Sequence, residues 1–314
     1  ISYAIRYGYG VLLPEMLPSL AISKAEAGVI YSSFFIAYTA FSPLLGLMGD
    51  RYNVRLLLTV FVATLGAGTF LMAYASSLIQ ASLFFALAGI GSAACWAPVM
   101  ALAQRWTSDK HRGKTLAFVD VGSSLGIIGN STIVPMIVTA NSWRAGWMSL
   151  GTFGFLVALI NFTMVRSNPE EPSALSQTRH SQREPVRAIY ARLLRNTKFW
   201  LIGLAYLFTG FSILIPFTFL STYAVQEMAF PYETAAGLVT VIGIGAMAGK
   251  LSLGPFSDKT GRIKVMMLCA VLIAAGSMGM AYCRSLTLIL FTVIFGLGYG
   301  ALWAMYAASA SDYF

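Results

Sequence analysis

Over its 314 residues the chain carries charge at only 11% of positions, while apolar residues fill 57%. A soluble domain has about a quarter charged residues, so a water-soluble globule is excluded. The formal net charge of +9 lies mostly in short loops between apolar runs and needs no nucleic acid to explain it. The apolar residues fall into ten blocks, near 1–21, 27–48, 56–75, 81–103, 115–139, 146–165, 199–225, 234–256, 265–282 and 286–309. Each has about the twenty residues that cross a hydrocarbon core of roughly 30 Å as a helix. The expected class is therefore an all-α, polytopic membrane protein. Its first block opens without Met or a basic leader, so the natural N-terminus is expected upstream.

Four ionisable groups fall inside the blocks: Arg6, Glu15, Asp120 and Lys250. Such groups are expensive in a membrane helix and mark function by default. Arg6 sits in Ser2-Tyr3-Ala4-Ile5-Arg6-Tyr7-Gly8-Tyr9-Gly10, ahead of Pro14 and Glu15. A guanidinium among tyrosines suits a carboxylate or phosphate; snorkelling to the interface is the alternative. Asp120 precedes Gly122-Ser123-Ser124-Leu125-Gly126, which satisfies the nucleophile pattern G-x-S-x-G. A serine nucleophile needs a neighbouring base, and the two histidines, His111 and His180, fall in loops. The glycines instead have the spacing that lets helices approach closely. No enzyme activity, metal or cofactor is expected. Cys95, Cys269 and Cys283 lie in or at the ends of blocks and suggest no disulfide framework.

Between blocks six and seven runs a polar, Pro-bounded stretch, 166–198. Its Val186, Ile189, Leu193 and Leu194 share one helical face, suiting either a helix on the membrane surface or a solvated spacer. Lys250 comes eight residues before Asp258, roughly 12 Å along a helix. It has two readings, a substrate contact or the partner of a carboxylate on another helix. Loops 49–55, 104–114, 166–198 and 257–264 hold sixteen of the 21 Lys and Arg residues, whereas the opposite side holds only Lys24, Arg144 and Arg284. By the positive-inside rule those four loops are cytoplasmic, in a multi-pass protein of the cell's inner (plasma) membrane.

Self-comparison reveals a repeat. Gly46 to Arg55, with Asp50-Arg51, is echoed by Gly254 to Lys264, with Asp258-Lys259. Gly89-Ile90-Gly91 leading to Trp96 is echoed by Gly296-Leu297-Gly298 leading to Trp303, and Ala27-Gly28 by Ala236-Gly237. The offsets are 208, 207 and 209 residues, in the same order along the chain. Two halves of one orientation imply a parallel repeat about an axis along the membrane normal. The expected domains are a six-helix bundle over 1–165, a cytoplasmic linker over 166–198, and a second bundle over 199–314.

The two Gly–Asp–basic loops resemble the signature loop of the major facilitator superfamily, G-x-x-x-D-R/K-x-G-R-x-R/K. The second copy fits throughout, and the first has Asn53 in place of Gly. Asn tolerates left-handed backbone, so a tight turn is expected in both. Gln104-Arg105-Trp106, Arg112-Gly113 and Gly122-x-x-x-Gly126 are similar to the family's loop between helices four and five. The resemblance implies twelve helices, ten of them present, and rocker-switch alternating access. It also implies gating by Asp50, Arg51, Arg55, Asp258, Lys259 and Arg262, where a helix-end carboxylate docks on a neighbouring helix N-terminus.

The segment around Arg6 resembles helix one of organophosphate–phosphate antiporters and related organic-anion carriers, whose Arg meets the anion. Lys250-Leu251-Ser252-Leu253-Gly254 is similar to helix eight of monocarboxylate transporters. The second Arg expected in helix seven is missing from Leu207–Ser212, which favours a small, singly charged anion over phosphate esters. The buried Arg and Gly-Pro kink of drug antiporters are absent too. The expectation is thus a monomeric carrier of a small organic anion, clamped by Arg6 and Lys250 with Tyr9 and Trp96 in the lining. Tyr7, Tyr38, Tyr299 and Trp303 are further aromatic candidates. Coupling to protons would fall to Glu15 or Asp120. The alternatives are a carrier of another small solute or a non-transporting sensor with the same fold.

Overall fold

The structure, a computed structural model, describes residues 1–49, 53–107, 112–166, 194–282 and 286–313. Every regular element among them is helical: α1 Ser2–Leu20, α2 Lys24–Gly49, α3 Val54–Met72, α4 Leu78–Ser92, a 3-10 turn Ala93–Cys95, α5 Ala97–Arg105, α6 Arg112–Ala140, α7 Trp143–Met164, α8 Thr197–Gln226, α9 Tyr232–Thr260, α10 Arg262–Tyr282 and α11 Leu286–Tyr313. In hydrocarbon an unpaired backbone amide has no water to bond, so the chain has to satisfy itself within each segment.

Nine of the ten apolar blocks are single helices, and the fourth is broken. Pro98 is the cause: it has no N–H to give, and its ring crowds the carbonyl four residues back. The helix therefore stops at Ser92, tightens through Ala93–Cys95 and restarts at Ala97. Among the described residues, eight helical spans are long and apolar enough to cross a membrane. The first helix is not one of them, because Arg6, Glu15, two prolines and three tyrosines lower its hydropathy; within the structure every residue from Tyr7 to Pro14 is buried. The last offers the shorter apolar run Thr287–Trp303. Large apolar side chains such as Ile36, Ile79, Phe208 and Met267 are exposed, where a lipid solvent would cover them.

Short polar side chains set the helix starts. Ser23 and Glu26 form a reciprocal capping box, each side chain bonding the other's backbone N–H at 3.2 and 2.8 Å. Asn53, Ser77, Ser142 and Asn196 cap α3, α4, α7 and α8 through their side-chain oxygens. The expected left-handed turn at Asn53 is not present. Asn53 is extended, with φ −61° and ψ 113°, because it serves as a helix cap rather than a turn residue. Its counterpart Gly261 does take a positive φ of 101°, a conformation that favours glycine.

The repeat is visible in packing. The pair α2 and α4 recurs as α9 and α11, and the pair α3 and α4 as α10 and α11. At the first crossing a Cβ on Gly89 would come within 2.2 Å of the Phe34 carbonyl oxygen, and one on Gly296 within 2.7 Å of that of Ile242. Phe34 and Ile242 are 208 residues apart, the offset read from the sequence. Between the two halves, α1 packs on α8 and α6 on α9. At Gly10 a Cβ would lie 1.9 Å from the Phe217 carbonyl oxygen, so only glycine lets α1 and α8 touch.

Overpacking a tight helix crossing costs about 1–3 kcal/mol. Gly89→Leu and Gly296→Leu are each expected to lower the thermal midpoint of the detergent-solubilised protein, by comparable amounts. An unchanged midpoint in either variant would contradict the symmetric crossing.

Candidate functional site

Arg6 lies on the face of α1 that meets α2. Its guanidinium carbon stands 5.0 Å from the Tyr38 ring centroid, 5.2 Å from those of Tyr3 and Phe35, and 5.6 Å from that of Phe34. Tyr3 is three residues back on α1, while Phe34, Phe35 and Tyr38 share one side of α2, so two helices suffice to build this box. The Trp96 ring sits 6.1 Å from that of Tyr3, brought there by the break ahead of Pro98. Cation–π contacts of this kind contribute about 0.5–2 kcal/mol each. They orient the cation but supply no counter-charge. Arg6 makes no ion pair with any of the described residues, and its Nε is buried without a hydrogen-bond partner.

Next to Arg6, an aromatic plug ties the halves together. Tyr7 stacks on Phe217 of α8 at 3.9 Å, and Phe217 meets Tyr299 of α11 edge-on at 4.9 Å. The Tyr7 and Tyr299 hydroxyls share one hydrogen bond of 3.0 Å, leaving one of their two protons for another acceptor. All three rings are buried. Further along, Tyr232 of α9 donates its hydroxyl to the Val11 carbonyl at 3.0 Å, and Lys24 pairs with Glu227 at 3.2 Å between half-exposed side chains. The halves are thus closed against each other at the end bearing the α1–α2 and α8–α9 turns.

A second link joins α6 and α9. The Lys250 ammonium donates to the Asp120 backbone carbonyl at 2.9 Å and to Ser123 Oγ at 2.5 Å, and forms an ion pair with Asp120 Oδ2 at 3.0 Å. Three protons meet three acceptors, so its capacity is filled. The side chains are only 12% and 16% exposed. One helical turn separates Asp120 from Ser123 and brings both to one ammonium. Farther along the same interface Ser131 and Thr240 hydroxyls lie 2.8 Å apart.

The expected clamp is therefore divided. Arg6 and Trp96 share one aromatic pocket, whereas Lys250 is occupied by Asp120, the second of its two readings. Tyr9 faces away from Arg6, stacked on Tyr31 and Phe85, with its hydroxyl donating to the Ala27 carbonyl at 2.8 Å. Glu15 is exposed near the closed end. Arg55 lies 4.7 Å from the Phe162 ring centroid, and Arg262 opens α10. Asp50 and Arg51 fall outside the described residues, as do the side chains of Asp258 and Lys259, and most of the 186–194 segment. Sequence reasoning missed Phe34, Phe35 and Phe217, which look like any apolar helix residue, and Ser123, whose spacing from Asp120 was the available signal.

A family model described as Major Facilitator Superfamily matches residues 1–314. The Hexuronate transporter of Bacillus subtilis is 26% identical, over 97% of this chain and 76% of that protein. The Membrane sensor protein UhpC of Escherichia coli is 22% identical, over 88% of this chain and 67% of that protein. A solved structure of a bacterial homolog to the human lysosomal transporter Spinster, inward-facing and unoccupied, superimposes with a TM-score of 0.74 at 18% identity. It covers 98% of this chain and 71% of its own.

Removing one partner of a buried ion pair costs about 3–5 kcal/mol because the other charge is stranded. Lys250→Gln and Asp120→Asn should each destabilise the protein to chemical denaturation in detergent. The double variant should lose less than the sum of the two, by about 0.5–3 kcal/mol. Strict additivity would show that the pair is not coupled in solution.

Proposed function

Since this chain belongs to the Major Facilitator Superfamily, we propose that it is a secondary carrier of a small organic anion, moved by rocker-switch alternating access between its two halves. The observation that carries the reading is Arg6: a cation in the membrane interior, held on four rings, whose charge no described residue neutralises. A carboxylate docking there would supply the missing charge and two acceptors for the guanidinium fork. Trp96 and the Tyr7–Tyr299 hydroxyl pair would complete the contact. The likeness to a hexuronate transporter supports an anionic substrate.

The domains are proposed as 1–165 and 199–314, joined by a cytoplasmic linker, in a plasma-membrane monomer. With that orientation the closed end is the outer one, so the anion would reach Arg6 from the cytoplasm in this conformation. Lys250 would act as a lock between α6 and α9 rather than as half of a clamp. Asp50, Arg51, Arg55, Asp258, Lys259 and Arg262 remain proposed gating residues on the inner side. Proton coupling through Asp120 would first have to break its pair with Lys250. A second reading, a sensor that binds the anion without moving it, draws on the likeness to a membrane sensor.

A charge-assisted hydrogen bond contributes about 1.5–3 kcal/mol, a factor of roughly 10 to 100 in affinity. Proteoliposomes holding the full-length protein should take up labelled lactate, a hexuronate or glycerol phosphate, but not glucose. Arg6→Gln should cut that uptake by at least about tenfold. Uptake of glucose alone, or anion uptake indifferent to Arg6→Gln, would remove the anion-carrier reading. Anion binding without flux would select the sensor.

A further inference from the structure

Beyond the Tyr7–Phe217–Tyr299 plug, away from the closed end, each half pairs a tyrosine with a tryptophan. In the first half Tyr3 of α1 meets Trp96 at 6.1 Å. In the second, Tyr206 of α8 meets Trp303 of α11 edge-on at 4.8 Å and Tyr306 edge-on at 5.3 Å. Three residues after its tyrosine, α1 carries Arg6 and α8 carries Thr209. Where one half has a guanidinium, the other thus has a hydroxyl, and it lies 2.9 Å from that of Tyr306. Tyr206 is half-exposed, and its hydroxyl is near enough to Arg6 and Tyr38 to interact electrostatically with both. The α8–α11 wall therefore stands across the gap between the halves from the cation.

Resting on the anion-carrier reading, we infer that this wall is a second subsite that recognises a hydroxylated ring at the other end of the carboxylate. The substrate class is then a sugar acid, and Tyr206, Thr209, Trp303 and Tyr306 determine specificity. Two chemistries meet there. Aromatic faces are negative, and the C–H bonds of a sugar ring, made positive by the attached oxygens, pack favourably on them. Thr209 and Tyr306 have two hydroxyl protons and share one hydrogen bond, so one proton and spare lone pairs stay open to a ligand. Sugar hydroxyls both donate and accept, which suits that supply. An alkyl or aromatic tail has nothing to offer it, and lactate has no ring to lay against the wall.

Affinities would be read from the ligand-dependent rise in thermal midpoint of the detergent-solubilised full-length protein; the midpoint without ligand shows whether each variant folds. Glucuronate should bind at least about tenfold more tightly than lactate or cyclohexanecarboxylate. The latter keeps the ring without its hydroxyls, and a site built to bond a hydroxyl rejects the analogue lacking it. Thr209→Val and Trp303→Leu should each weaken glucuronate about tenfold and leave lactate unchanged. Trp303→Phe, which keeps an aromatic face, should retain most of the glucuronate affinity. Arg6→Gln should weaken all three anions. Cyclohexanecarboxylate or lactate binding as tightly as glucuronate, or wall variants that weaken lactate and glucuronate equally, would overturn the subsite while leaving the anion carrier standing. No midpoint shift with any of the three, nor with glycerol phosphate, would overturn both.

Discussion

A cation on an inner helix that meets no carboxylate among the described residues is the constraint on which the rest of this structure turns. Arg6 is ringed by aromatic side chains, so the fold has to hold it in place by means other than an ion pair with a described residue. It does so with π-faces from α1 and α2, which attract the guanidinium yet leave its charge unmatched. A protein built only for stability would place a carboxylate there. Lys250 shows how that is done, with Asp120 and Ser123 a turn apart on the facing helix. One chain thus contains both solutions, a closed ion pair that ties its halves and an open cation that suits a ligand.

The open site depends on how closely the helices can approach. Gly10 lets α1 reach the α8 backbone, and this is what sets Tyr7 against Phe217 and Tyr299. Gly89 and Gly296 do the same for the symmetric crossings within each half. Without a hydrophobic effect to press helices together inside lipid, such close contact supplies much of the attraction. Across the inter-half surface one apolar core is shared by both halves, joined among the described residues by the aromatic plug, hydroxyl bonds and the exposed Lys24–Glu227 bridge.

Much of this was legible along the chain. Ten apolar runs of membrane length, a loop motif occurring twice and a constant offset near 208 residues determined an all-helical, two-halved membrane protein, because helix period, hydrocarbon thickness and repeat spacing are all local quantities. Four interior charges could be named for the same reason. Which of those charges meet could not be read, since pairing is decided by helix rotation and crossing. Lys250 and Asp120 are 130 residues apart, and nothing in either segment states that α6 and α9 face each other. Tyr9 and Tyr7 stand two positions apart on one helix, which is about 200° of rotation. That turn alone sends one into the bundle core and the other to the plug between the halves. The sequence determined what the membrane must contain, and only the tertiary structure decided which cation meets a carboxylate and which meets aromatic rings among the described residues, because charge compensation depends on distances of about 3 Å that sequence spacing does not encode.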